Sequence, residues 1–180
     1  MTTGETRTAA TPSSQGSPFW RFSLRFYRQP QVADACIALQ EEAGVDVNLL
    51  LFLLWQATHA RKLSAAEVAG LEGRIVAWRD MTVVPLRAVR RALKSRPPPL
   101  VAAATAELFR TRIKAAELEA ERLQQEAMYE LARTALLGSM AATAEEAARA
   151  NVAAYQAIGR AVFPESAIEI LLAALSGLER

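Results

Sequence analysis

The densest chemistry in this chain is basic. From Arg74 to Arg96 it carries Arg74, Arg79, Arg87, Arg90, Arg91, Lys94 and Arg96 against a single acid, Asp80. On a helix turning 100° per residue, Leu86, Val89 and Leu93 share one face, with Arg87, Arg90, Arg91 and Lys94 roughly opposite. The positive charge then forms one coherent surface. A guanidinium fork matches carboxylate or phosphate in two bonds at once, so Arg79, Arg87, Arg90, Arg91 and Lys94 are the candidate anion- or partner-binding residues. A run of this kind is more often simply a solvated face. No glycine-rich phosphate loop surrounds it, which argues against a nucleotide pocket of the usual kind.

Other residue types offer less. Glu117, Glu119, Glu121, Glu126 and Glu130 lie along one long helical segment and read as a solvated face, with Glu119 near Arg122 and Glu130 near Arg133. A di-iron bundle would need Glu-x-x-His pairs, and the lone histidine, His59, is in no such pattern. His59 ends a helix, where the dipole favours a cation, and has no local nucleophile or carboxylate to work with. Cys36 falls in an apolar stripe and reads as a buried structural thiol. No catalytic residue, metal site or cofactor is expected. Asp46, Asn48, Trp55 and Trp78 are candidate pocket-lining residues, although helix capping alone accounts for Asp46.

The element that must position these groups is Asp46 to Lys62. Leu49 to Trp55 is an unbroken run of large apolar residues, Asp46 is a good N-cap, and no Gly or Pro intervenes. A helix apolar all round has to be surrounded by other helices. The sequence therefore predicts an all-α fold: a single-domain bundle of about seven helices around a central apolar helix over about 46–62. Before it, Phe19, Phe22 and Phe26 at helical spacing predict a short core-facing helix, and Pro30 is placed to open a helix through Ala43. After it, Ser64 and Glu67 form a capping box for a helix carrying Val68, Leu71, Ile75 and Trp78 inward. That helix should end around Arg79–Thr82, because Val84 is restricted by Pro85, which itself opens a helix through Lys94.

Arg96-Pro97-Pro98-Pro99 is a stiff break. The longest helix follows, over about 100–137, with a narrow stripe of Phe109, Ile113, Ala116, Ala120, Leu123, Ala127 and Leu131 suited to close antiparallel packing on another helix. Thr143 with Glu146 caps a helix to about Val162, and Glu165 to Leu178 is a last amphipathic helix. Residues 1–18, rich in Thr, Ser, Gly, Ala and Pro, predict a disordered tail before one helical domain over 19–180.

Composition supports this. The chain of 180 residues is 52% hydrophobic with much Ala, Leu, Glu and Arg, all strong helix formers. A net charge of +2 gives no general pull toward nucleic acid or membrane. One cysteine excludes an internal disulfide. No signal-like or membrane-spanning apolar segment is seen, so the expected setting is cytoplasmic.

Three segments carry a resemblance: Trp20 to Tyr27, the Asp46 to Trp55 run, and Trp78-Arg79 with Val83 to Lys94. Over about residues 19–135 the chain resembles a family of small bacterial cytoplasmic all-helical proteins known only as a domain of unknown function. The resemblance implies a helical, bacterial setting and carries over no activity, cofactor or catalytic residue. Two functional expectations stand. One is a non-enzymatic interaction or adaptor module whose basic face meets an acidic protein partner. The other is a binder of, or small helical enzyme acting on, a phosphorylated apolar small molecule held between the central helix and the arginine cluster. Nucleic acid is the weakest partner, given low net charge and an acidic long helix. Homo-oligomerisation through the long helix or the last helix is a further option.

Overall fold

A computed structural model describes residues 16–95, 100–159 and 161–178. The tail expected over residues 1–18 lies mostly outside the described residues, as does the Arg96–Pro99 break. The protein is an all-α bundle: α1 (Pro18–Tyr27), α2 (Val32–Ala43), α3 (Val47–Ala57), α4 (Ala65–Trp78), α5 (Val84–Ser95), α6 (Ala103–Thr134), α7 (Ala144–Ile158) and α8 (Glu165–Leu178). Two two-residue strands, β1 (Arg61–Lys62) and β2 (Ser139–Met140), pair antiparallel with Arg61 opposite Met140. No described helix is long and apolar enough to cross a membrane.

The apolar run sits at the centre. Leu49, Leu50, Phe52, Leu53 and Leu54 are fully buried, and α3 packs against α1, α2, α6 and α7. Asp46 Oδ1 caps it, accepting from the backbone N–H of Asn48 at 2.8 Å and of Leu49 at 3.2 Å. The helix stops at Ala57, short of the Lys62 expected from sequence. Ala60 takes a left-handed conformation (φ 52°), and the chain turns into β1. Asn151 of α7 holds that turn: its Nδ2 donates to the carbonyls of Leu53 and Arg61, and its Oδ1 accepts from Leu63 N–H at 2.6 Å.

At the N-terminus α1 begins at Pro18, one residue ahead of the Phe19 start expected from sequence. Ser17 caps α1 through Trp20 N–H, and its own N–H donates to Glu126 Oε1 at 2.8 Å. Phe19, Phe22 and Phe26 enter the core as the spacing predicts. The second helix begins at Val32, not Pro30, because Gln31 adopts φ 64° ahead of it. Val32, Cys36 and Leu39 are fully buried along it, and burial pushes the Cys36 thiol up to about 12. The Ser64–Glu67 capping box forms with both bonds present. The Thr143–Glu146 box is half made: Thr143 accepts from Glu146 N–H, while the Glu146 carboxylate turns to Ala142 N–H and Lys62.

The helix after α4 does not break where the sequence suggests. α4 passes through a π-helical turn, Arg79–Val83, directly into α5, and Val84 is helical (φ −63°, ψ −48°) despite the following proline. Pro85 has no N–H to give and its ring crowds the carbonyl four residues earlier. The wider π turn just ahead of it takes up that misfit, with Val84 N–H reaching back to Arg79 O and Thr82 Oγ1 donating to Trp78 O at 2.6 Å.

The long helix is rotated relative to expectation. Of the predicted stripe only Ala120 is buried; Phe109 is 51% and Leu123 44% exposed, and Ala116 and Ala127 are exposed too. The buried face of α6 is Ala106, Glu117, Ala120, Gln124, Gln125 and Met128. Half of it is polar, and that polarity builds the site.

Candidate functional site

The α6 polar face meets three sets of groups brought from earlier in the chain. Gln125 Nε2 donates to Asn48 Oδ1 at 2.7 Å, and Gln124 Nε2 to Asp46 Oδ2 at 3.0 Å, so the start of α3 is tied to the middle of α6. Tyr155 Oη accepts from Asp46 N–H at 2.9 Å on the other side. The π turn aims Arg79 at Glu72 (2.6 Å), Asp80 (3.0 Å) and the Asp46 carboxylate (3.4 Å). Trp78 Nε1 donates to Ala120 O at 3.0 Å, fixing α4 against α6.

The third set is the arginine run. Arg87 and Arg90, read from sequence as part of an outward basic surface, turn instead to α6. Arg87 Nε donates to Glu117 at 2.9 Å and its Nη2 to Glu121 at 2.6 Å; Arg90 reaches Glu117 through both Nε and Nη2. Glu117 is 5% exposed. Glu117 and Glu121 are therefore no part of a solvated face, whereas Glu119–Arg122 and Glu130–Arg133 do form the expected surface pairs. Arg91 pairs with Glu41 of α2 in an exposed contact at 3.1 Å, and Lys94 is exposed.

The buried Glu117 carboxyl and the half-buried Glu121 carboxyl are driven in opposite directions. Burial alone would raise Glu117, but hydrogen bonds and charge from Arg90 and Arg87 outweigh it and hold the carboxyl below its ordinary range. Glu121 is pushed above its range, first by burial and then by the nearby Glu117 and Asp46 charges, against the pull of Arg87.

Beside this network lies a cleft of about 490 Å³ between α1, α2 and the start of α3 on one side and α5 and α6 on the other. Its apolar lining includes Leu24, Tyr27, Ile37 and Leu118, between 37% and 50% exposed, over Leu51 and Cys36. Five cations line it (Arg28, Arg87, Arg90, Arg91, Lys114) against three carboxyls (Glu41, Glu117, Glu121). Arg28 and Lys114 make no ion pair among the described residues. Ser23 Oγ and Gln125 Oε1, both buried and both on cleft-lining residues, have no hydrogen-bond partner there either.

Of the four pocket residues expected from sequence, Asn48 lines this cleft. Asp46 sits behind it as the cap of α3. Trp55 belongs to an aromatic cluster with Phe19, Phe52 and Tyr129, and His59 packs edge-on against it. Trp78 is committed to α6. The sequence reading missed Ser23, Lys114, Glu117, Glu121 and Gln125. The signal that could have found them is Glu117 and Glu121, one helical turn apart, facing Arg87 and Arg90, also one turn apart, across a proline-rich connection.

Comparison with curated proteins and with solved structures gives no match. A family model does match, over residues 18–128, a stretch that holds the whole cleft and leaves α7 and α8 outside. Covering well over half of the chain, that match places it: the chain belongs to the family described as protein of unknown function DUF2390.

Proposed function

We propose that the protein binds a small amphipathic molecule, with an apolar body and a phosphate-type anionic head, in the cleft between α3 and the arginine-bearing α5. The observation that carries this is the cleft's composition. Leu24, Tyr27, Ile37 and Leu118 are large apolar side chains left partly open around one hollow, which is also lined by Arg28 and Lys114, cations with no ion pair among the described residues. Pockets for small ligands combine an apolar lining with a few convergent polar groups in this way. The head is held by Lys114, Arg28 and Arg91, the last giving up only an exposed pair of small worth. Ser23 Oγ and Gln125 Oε1 supply polar contacts deeper in the cleft, and Asn48 and the Arg87–Glu117–Arg90 network form its walls.

The adaptor reading asks Arg79, Arg87, Arg90, Arg91 and Lys94 to meet an acidic protein. Arg79, Arg87 and Arg90 are already bonded to carboxylates of their own chain, which leaves Arg91 and Lys94 as the exposed cations for that role. It ranks second for that reason.

Trp20, which lines the cleft, gives a fluorescence readout for titration with decyl phosphate below its micelle concentration. Saturable one-site binding is expected. Lys114→Ala with Arg28→Ala should weaken decyl phosphate by about tenfold or more, as loss of charge-assisted bonds predicts, while leaving decanol unchanged. Leu118→Glu should weaken both. Binding that is absent, or indifferent to Leu118→Glu, refutes the reading.

A further inference from the structure

The outer face of α6 carries a stripe of apolar and charged residues that no helix among the described residues covers. Phe109, Arg112, Ala116, Glu119 and Leu123 follow one another at spacings of three and four, the period of a helix–helix seam, and all five are exposed. Phe109 and Leu123 leave 51% and 44% of their surface open. The stripe lies on the flank of α6 away from the cleft residues Lys114, Leu118 and Gln125, so ligand binding does not account for it.

The order of residues on this face selects the partner. About a two-fold axis through Ala116, an antiparallel second copy sets Phe109, seven positions before the axis, against Leu123, seven after. Arg112, four before, falls against Glu119, three after. Thr105 and Ala127, eleven positions either side and both exposed, also meet, a small side chain on a small one. Large apolar faces large apolar, cation faces anion, and alanine at the axis lets the backbones approach closely. A parallel pairing would set Arg112 on Arg112 and Glu119 on Glu119. Arg112 makes no ion pair among the described residues, and Glu119 is held by two bonds from Arg122 within its own helix, a surface pair of small worth that it can share with Arg112 of the second copy. An isologous contact needs one patch complementary to itself, and this one is.

We propose that this face of α6 joins two copies of the chain in an antiparallel, two-fold dimer centred on Ala116, with Phe109 and Leu123 as its apolar anchors and Arg112 and Glu119 as its register-setting pair.

Sedimentation velocity over a concentration series up to about 0.5 mM tests this, a range that populates a dimer of roughly millimolar strength or better. A monomer–dimer equilibrium is expected, weakened at least about tenfold by Phe109→Glu. Arg112→Glu and Glu119→Arg should each weaken it, and the two together should restore it, an outcome only a mutual pair gives. Ala116→Cys should form a disulfide-linked dimer on mild oxidation, since Cys36 is buried and cannot compete. Helical content should stay unchanged in every variant, because these side chains are exposed. A monomer throughout the range, a dimer indifferent to Phe109→Glu, or a double reversal that fails to restore association overturns the proposal.

Discussion

Replacing Glu117 by Gln should cost the protein about 2–3 kcal/mol of stability. Glu117 is the one buried acceptor for two arginines, taking Arg87 Nε at 2.9 Å, Arg90 Nη2 at 3.1 Å and Arg90 Nε. Removing one member of a buried ion pair costs roughly 3–5 kcal/mol, because the remaining charges are left without a counter-ion. Two features lower that figure here. The Arg87 and Arg90 side chains keep 18% and 25% of their surface in water, and Arg87 retains Glu121. For a chain of this length each kcal/mol moves the melting temperature by roughly 2–4 °C, so a fall of about 5–10 °C is expected. Urea unfolding followed by circular dichroism measures it, with the slope of the transition unchanged. The pH dependence has a definite sign. The folded Glu117 carboxyl lies below its ordinary value, so its contribution is present above that value and is lost as pH falls through the folded one. The gap between wild type and Glu117→Gln should therefore close in acid. Arg90→Gln should cost a similar amount, and the two together clearly less than their sum. A loss below about 0.5 kcal/mol, or strict additivity, would refute the reasoning, because it would mean the network is effectively solvated.

Glu121 should behave oppositely: its folded carboxyl is raised, so the stability linked to its proton is present at low pH and lost as pH rises through the folded value. Glu121→Gln should accordingly gain on wild type as urea unfolding is repeated from about pH 4 to about pH 7. Asn151→Ala should cost about 2–4 kcal/mol in the same assay, since it strips Leu63 N–H and the Leu53 and Arg61 carbonyls of their partner. Gly138→Ala should destabilise, because Gly138 has φ 70° and a Cβ there would meet Lys62 O at 2.6 Å. Gly70→Ala, in α4 with open space around it, should instead add about 0.5–1 kcal/mol.

What could be read in advance depended on whether a residue's neighbours were close in sequence. Seven successive large apolar residues in α3 admit only a surrounded helix, and the Ser64–Glu67 box needs nothing beyond its own turn. The face of α6 needed more. An apolar-period reading assigns Glu117, Gln124 and Gln125 to water and Phe109, Ala116 and Leu123 to the core. Their actual burial is set by Asp46, Asn48, Arg87 and Arg90, which arrive from 27 to 78 positions away in the chain. The same holds for β1, whose partners, Ser139–Met140 of β2 and Asn151 of α7, come from far along the chain. The arginine run was legible as charge but not as direction: a helix wheel gives which residues share a face, and only the carboxylates on α6 decide that Arg87 and Arg90 turn inward.

This inward turn has a consequence for the cleft. α5 packs along α6 and forms part of the cleft wall, yet buries none of its own residues fully; Leu86 and Leu93 are half-buried. The Arg87 and Arg90 bonds to Glu117 and Glu121 add paired charges to that partial apolar contact. Glu117, held ionised, is the fixed anchor, while Glu121, with its raised carboxyl, is the acceptor whose charge changes first as pH falls. A wall located by paired charges tolerates a repositioned or added anion better than an apolar seam would, because the arginines can share one more oxygen without exposing a core. That property suits the anionic head of the ligand proposed for the cleft.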